Sequence, residues 1–309
     1  MKQIAISVGD LNGIGIQLIL ENHYRIKEFI KPRYCIDRAM LEQAANLLKL
    51  PIPHDFHCVT EIGQSFTITP SHITQASGAY SFQSFQKAVN LAKKKEVDGV
   101  MTLPIHKKAW ELAGVHYKGH TDALRDFFQA EAIMMLGTPQ MYVALYTEHI
   151  PLYQVPQAVR NREKLTRFLV DFYYAIASDL KTDESVSLLG LNPHAGDNGV
   201  LGDEEETIRQ ARETAHQMIG KCVYTEPIVP DVAFTPQRRK HYRYYIAMYH
   251  DQGLAPLKAL YFDEGINISL NLPIIRTSVD HGTAFDIAYR HQQLNNLSYL
   301  NALRYFKTT

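Results

Sequence analysis

Apolar residues fall along the chain in short runs, each followed by a polar or glycine- and proline-bearing turn and often by a segment with helical spacing. Alternating strands and helices produce this pattern. Strands are expected at residues 4–8, 97–103, 141–147, 186–191 and 244–249. Between them, Phe82, Phe85, Val89 and Ala92 recur at helical spacing, as do Leu165, Phe168, Leu169 and Phe172. Such stripes face a core. A further helix is expected to begin at Asp203, with Glu206 completing a capping arrangement, and Thr121 is the expected cap of a helical stretch at 123–128. The pattern is α/β. No repeat, low-complexity tract or Pro/Ser-rich linker divides the chain, so a domain boundary runs through ordinary loops.

Length and composition narrow the class. At 309 residues with 46% apolar content, the chain buries a sizeable core and favours about two domains. Lys and Arg number 32 against 32 Asp and Glu. No overall positive field is therefore available to hold nucleic acid or an anionic membrane, and any anionic ligand is bound locally. Cys35, Cys58 and Cys222 form no Cys-x-x-Cys pair, which suits free, ordinarily buried thiols in a reducing compartment. The start MKQIAISVGD reaches glycine and aspartate before any stretch long enough for a signal peptide, and no apolar run is long enough to span a bilayer. A cytoplasmic protein is expected.

In open α/β sheets, ligands bind beyond the carboxyl ends of the strands, where loops converge and helix N-termini point free amides inward. The expected strands lead into Gly9, Asp10, Asn12, Gly13 and Gly15; into Pro104, His106 and Lys107; into Glu148 and His149; into Asn192, His194 and Gly196; and into His250, Asp251 and Gly253. One histidine on a loop is ordinarily a solvated side chain. Three neutral imidazoles with an open coordination position suit a catalytic divalent metal, which makes His149, His194 and His250 candidate ligands. Asp251 is a candidate for fixing the His250 tautomer, although neighbours along a strand point apart.

The loop Gly9-Asp-Leu-Asn-Gly-Ile-Gly15 carries Leu18 where the dinucleotide fingerprint G-x-G-x-x-G requires glycine or alanine. It is not a Rossmann motif, and two readings stand beside each other: a tight turn entering a helix, and a loop that contacts a ligand. Gly119-His120-Thr121-Asp122 opens a helix, a place that also receives phosphate. Lys258, Asn267 and Arg276 add two cations and an amide. Each alone is ordinarily a surface group, but Arg276 follows apolar residues and precedes small polar ones, where a guanidinium grips phosphate bidentately.

Taken in order, GDLNGIG, TLPIHK with GHTD, TEHIPL, LNPHAGDNGVLGDEE, PDVAF, MYHDQGLAPLK and LPIIRTSVDHGTAFDIA resemble the successive signatures of the 4-hydroxythreonine-4-phosphate dehydrogenase family, from residue 9 to about residue 288. The chain departs from them in places. Leu11, Asn12, Ile16 and Gln17 replace the proline, alanine, proline and glutamate usual in the first loop, Asp122 and Asp197 stand where glutamate is more usual, and the tail after Ala288 is unfamiliar.

The resemblance implies a homodimer of two α/β/α domains per subunit, like isocitrate and isopropylmalate dehydrogenases and unlike a Rossmann fold. The expected division is 1–115 with 275–309 against 116–274, with a cleft between them. It implies NAD or NADP as oxidant, one divalent metal per site (zinc, magnesium or cobalt) on His149, His194 and His250, and an active site at the subunit interface. Substrate contacts fall on His120, Thr121, Lys258, Asn267 and Arg276. Asp231, Asp251 and a metal-bound water are the candidates for the catalytic proton acceptor, and no residue is assigned to the cofactor. The implied reaction oxidises 4-phosphooxy-L-threonine to 2-amino-3-oxo-4-phosphonooxybutanoate, which decarboxylates to 3-amino-2-oxopropyl phosphate in pyridoxal 5'-phosphate synthesis. The competing readings are a sister dehydrogenase of another phosphorylated hydroxy acid such as 4-phosphothreonate, a three-histidine metal hydrolase without NAD, and a non-catalytic phospholigand-binding protein.

Overall fold

The computed structural model describes residues 1–308. Its strands are β1 (Gln3–Ser7), β2 (Lys31–Cys35), β3 (Cys58–Val59), β4 (Gly99–Thr102), β5 (Ile133–Thr138), β6 (Met141–Leu145), β7 (Ser187–Leu188), β8 (Tyr244–Ala247), β9 (Ile266–Leu270) and β10 (Arg276–Val279). Four of these, β4, β6, β7 and β8, lie within the runs expected from the apolar pattern, and β1 overlaps its run but starts one residue earlier. The chain divides into two compact units. One comprises Met1–Ala130, Ile266–Ile268 and the chain from Leu272 onward; the other comprises Glu131–Gly265 and Ser269–Asn271. Thr309, the last residue of the expected terminal domain, lies outside the described residues.

In the first unit the strands run in the order β3-β2-β1-β4-β10, and every pairing is parallel. Parallel strands are covered on both faces, and β4 and β10 are buried at every position. The helix Gln75–Lys93 packs on β1, β2 and β4, and Leu297–Thr308 packs on β10 and β4. On the former, Phe85, Val89 and Ala92 are buried and Phe82 half-buried, so the apolar stripe faces the core as its spacing requires. Thr74 caps this helix, its hydroxyl accepting the Ser77 N–H at 3.1 Å.

In the second unit β6 pairs antiparallel with β5 and parallel with β8, which pairs parallel with β7. The helix His250–Tyr261 lies on β5, β6 and β8. Leu254 and Leu257 enter the core with Val143, Leu145, Tyr245 and Ala247. Gly253 permits the close approach, because a Cβ there would stand 2.4 Å from Val143 Cγ1 and 2.9 Å from Ala247 Cβ. The helices Arg162–Ile176 and Glu204–Ile219 pack against one another.

Two local expectations are corrected. Asp203 does stand at the cap position of Glu204–Ile219 but makes no side-chain capping bond, since its carboxylate pairs with Arg160 Nη2 at 2.5 Å. The helix at 120 begins two residues earlier than a Thr121 cap requires: it spans His120–Phe128 with Gly119 before it, and Thr121 lies inside its first turn. Of the cysteines, all free, Cys35 is buried but Cys222 is exposed. Among the described residues, no helix is long and apolar enough to cross a membrane.

Candidate active site

The three histidines that end expected strands all follow mutually parallel strands. Leu145 of β6 lies beside Ala247 of β8, and Leu188 of β7 beside Ile246, so the loops carrying His149, His250 and His194 leave from one edge of the second unit. His149 and His250 meet there, with ring centroids 5.7 Å apart and planes inclined at 42°. Two imidazoles bound at ~2.1 Å to one tetrahedral ion have ring centres roughly 5–6 Å apart, so the pair suits a shared metal. Asp251 Oδ1 lies 2.6 Å from His250 Nδ1. Both residues start a helix instead of continuing a strand, which removes the objection that neighbours point apart. A carboxylate at this distance favours the tautomer with the proton on Nδ1, which turns the Nε2 lone pair outward. Among the described residues, no group of three or more His, Cys, Asp or Glu side chains gathers closely enough to hold a metal ion. The chain brings His149 and His250 together and does not add His194 to them.

His194 sits in the turn Pro193–Gly199, where residues 194–198 have left-handed backbone angles. A left-handed conformation costs ~1–2 kcal/mol at each non-glycine residue, and it persists only where the surroundings over-determine it. Here the clamp is Glu205, which is buried. Its Oε1 accepts the N–H groups of Leu191 and Asn192 at 2.8 and 2.7 Å, and its Oε2 accepts Asn192 Nδ2 at 2.9 Å. Glu204 accepts Asn192 Nδ2 at 2.8 Å and is neutralised by Arg160 at 2.8 Å.

The first unit holds a second polar group of different character. Arg276, at the start of β10, is only 2% exposed, and its Nε and Nη2 donate to Thr102 Oγ1 at 3.1 and 2.6 Å. Burial lowers its pKa from the usual 12.5 to about 9. A guanidinium held in so low a dielectric is stabilised by an arriving anion. His120 packs edge-on against Phe85 and Trp110, at 4.8 and 5.4 Å between centroids. Burial, and then the charge of Arg276, hold His120 well below the usual imidazole range. Its Nε2 is buried without a hydrogen-bond partner. A neutral imidazole at the start of a nine-residue helix, influenced by a buried guanidinium, has the chemistry of a phosphate site. Asn267 Oδ1, also in this unit, is a buried acceptor without a donor. Lys258 belongs to the second unit, half-buried on the helix that begins at His250.

The two candidate bases differ. Asp251 is engaged by His250, whereas Asp231 is exposed in the four-residue helix Pro230–Ala233. The glycine loop is mainly a structural junction. Asn12 is fully buried, donates Nδ2 to the His72 carbonyl at 2.8 Å and accepts the Thr69 N–H at 2.9 Å, while Tyr289 donates its hydroxyl to the Leu11 carbonyl at 2.6 Å. Asp10 in the same loop is buried and raised to about 6, with desolvation outweighing bonds from Asn12 and Ser77. Reading the sequence passed over Glu205 and Gln252. Their only signal was position: one is the second residue of the helix after the His194 loop, the other stands two residues beyond His250.

The profile of the family described as pyridoxal phosphate biosynthetic protein PdxA matches residues 28–306. The chain is 52% identical, over 98% of its length and 96% of the relative's, to a 4-hydroxythreonine-4-phosphate dehydrogenase of Sulfurimonas denitrificans. It superposes with TM-score 0.84 and 28% identity on the crystal structure of a 4-hydroxythreonine-4-phosphate dehydrogenase from Klebsiella pneumoniae, each chain covered completely. At the level of fold alone it resembles a β-decarboxylating dehydrogenase from Thermococcus kodakarensis, with TM-score 0.50 and 11% identity over 98% of this chain and 82% of that one. The expected α/β architecture is thereby borne out, and its fold is shared with a β-decarboxylating dehydrogenase. With a profile spanning most of its length and relatives this similar from end to end, the chain belongs to the 4-hydroxythreonine-4-phosphate dehydrogenase (PdxA) family.

Proposed function

We infer that this chain oxidises 4-phosphooxy-L-threonine with NAD or NADP to 2-amino-3-oxo-4-phosphonooxybutanoate, which loses carbon dioxide to give 3-amino-2-oxopropyl phosphate for pyridoxal 5'-phosphate synthesis. The observation that carries the reading is the full-length similarity, at 40 to 52% identity, to relatives bearing the name of this activity. The groups described above are of the kinds it requires. Arg276, His120 and the helix N-terminus at His120 and Thr121 take the phosphate, with Lys258 as a further cation. Held at the far end of the substrate, the phosphate supplies binding energy remote from the reacting carbon. Asn267 Oδ1 receives a hydroxyl or ammonium donor of the substrate.

His149 and His250 of one subunit, with His194 of a second copy, are the proposed holders of the divalent ion, which when bound acts as a Lewis acid on the substrate's secondary hydroxyl. The hydroxyl gives up its proton, for which Asp231 and Asp251 are the candidate acceptors, and hydride passes from the same carbon to the nicotinamide. The new ketone lies β to the carboxylate and accepts the electron pair released as carbon dioxide departs. The shared arrangement is favoured by apolar side chains left in solvent beside both loops. Leu152 and Tyr153, three and four residues after His149, are 66% and 79% exposed, and Val200, which follows the turn that carries His194, is 77% exposed. Such residues suit a subunit interface.

The test is formation of reduced nicotinamide, read at 340 nm, with 4-phosphooxy-L-threonine and 4-phosphothreonate, NAD and NADP, before and after chelation. Turnover of 4-phosphooxy-L-threonine that stops on chelation is expected. Preference for 4-phosphothreonate, or hydrolysis without nicotinamide reduction, overturns the reading.

A further inference from the structure

The roots of the three histidine loops are joined through one buried amide. Gln252 is the third residue of the helix His250–Tyr261 and is 9% exposed. Its Oε1 accepts the Met248 N–H at 2.7 Å, and its Nε2 donates to the Gly190 carbonyl at 2.7 Å. Met248 lies two residues before His250, and Gly190 four before His194. The Met248 carbonyl in turn accepts the Thr147 hydroxyl at 2.6 Å and the Thr147 N–H at 3.2 Å, and Thr147 lies two residues before His149. A chain of hydrogen bonds from Gly190 through Gln252 and Met248 to Thr147 therefore ties together the points from which all three candidate ligands depart.

The geometry has a cause in the sequence. Gly253, without a Cβ, lets the first turn of the helix settle against Val143 and Ala247. From there the amide of the preceding residue reaches two strand ends at once. An amide suits the position because it must accept from one main-chain group and donate to another; a carboxylate or a hydrocarbon does one or neither. Both main-chain groups are buried, so losing the bridge leaves them unsatisfied.

We propose that Gln252 is a positioning residue of the metal sites: in the shared arrangement it fixes the root of the His250 loop for the ion held by its own subunit's His149 and His250, and the root of the His194 loop for the ion held by the second copy. It touches neither substrate nor metal and acts through the backbone of the ligands, as outer partners of metal-binding histidines do. The inference rests on the metal reading given above.

The test uses the full-length protein and cobalt(II) as probe, since its visible absorption reports ligand geometry as well as affinity. Gln252→Leu removes both bonds at similar volume, and Gln252→Glu keeps the acceptor for Met248 but loses the amide donor to Gly190. Cobalt affinity is expected to fall about 10- to 100-fold in Gln252→Leu, with a changed absorption band, and by less in Gln252→Glu. Amide hydrogen exchange without metal is expected to quicken at 191–199 in both. If Gln252→Leu does not fold, Gln252→Glu carries the test. Wild-type affinity and spectrum in a folded variant overturn the proposal while leaving the metal reading in place. Failure of the wild-type protein to bind cobalt in a His250-dependent way overturns both.

Discussion

His149 and His250, on loops that follow the neighbouring parallel strands β6 and β8, stand with ring centroids 5.7 Å apart, and Asp251 Oδ1 lies 2.6 Å from Nδ1 of the second ring. Asp251 thus orients an imidazole already placed beside its partner. Asp251→Ala frees the ring to rotate and exchange tautomers. Metal affinity is expected to fall about 10- to 100-fold, measured by zinc or cobalt titration, while thermal stability of the metal-free protein changes little because the carboxylate is exposed. Unchanged affinity rules out the orienting role.

Arg276 is the buried cation of the first unit, and its removal is expected to weaken binding of the phosphorylated substrate by roughly 1.5 to 3 kcal/mol, about ten- to over a hundredfold in KM. Arg276→Ala also leaves a cavity, so Thr102→Val serves as the control that keeps the guanidinium while deleting its hydroxyl partner. Comparison with a substrate lacking the phosphate separates the two effects. An equal loss on both substrates assigns Arg276 a structural role instead.

Asp10 makes stability depend on pH. Its folded-state pKa, about 6, lies above the ordinary 3.8 because of burial. The folded state therefore holds the proton more tightly than the unfolded chain does. The stabilisation this provides is fully present below pH 3.8 and is lost as the pH rises through about 6, amounting to about 3 kcal/mol. Asp10→Asn keeps the acceptor for the Asn12 N–H and has no charge to bury. The variant's stability relative to wild type is expected to improve between pH 4 and pH 7 in paired denaturant titrations. A difference independent of pH in that window contradicts the assignment.

The shared metal site predicts complementation. Inactive His194→Ala and His250→Ala proteins, after subunit exchange, form heterodimers in which one site has every histidine intact and the other lacks two. A random mixture is half heterodimer, so about a quarter of all sites recover. Verified heterodimers without activity exclude a site shared in this way and leave the ligand residues themselves untouched.

The loops that carry chemistry were legible in the order of residues. Strands β1, β4, β6, β7 and β8 announce themselves as apolar runs because parallel strands are buried on both faces, and the polar residues beyond them stand out against that background. The amphipathic stripes of Gln75–Lys93 and Arg162–Ile176 were equally plain, since one helix face must meet the core. β10 was not. Its four residues, Arg-Thr-Ser-Val, are all buried, yet the side chains of Arg276 and Thr277 bond to Thr102 and to the Ala302 carbonyl, partners that only folding brings near. The Asp203 cap failed for the same reason, because Arg160, distant in sequence, takes its carboxylate.

Sequence alone determined the family, the α/β class and the identity of the candidate ligands, because these depend on residue type and local period. Tertiary structure decided which of them meet. It paired His149 with His250, bent the His194 loop into left-handed angles against Glu205, and drew the three loop roots together on Gln252. Those relations are long-range hydrogen bonds and ring contacts between segments that no local pattern connects, and they exist only once parallel strands have set the loops side by side.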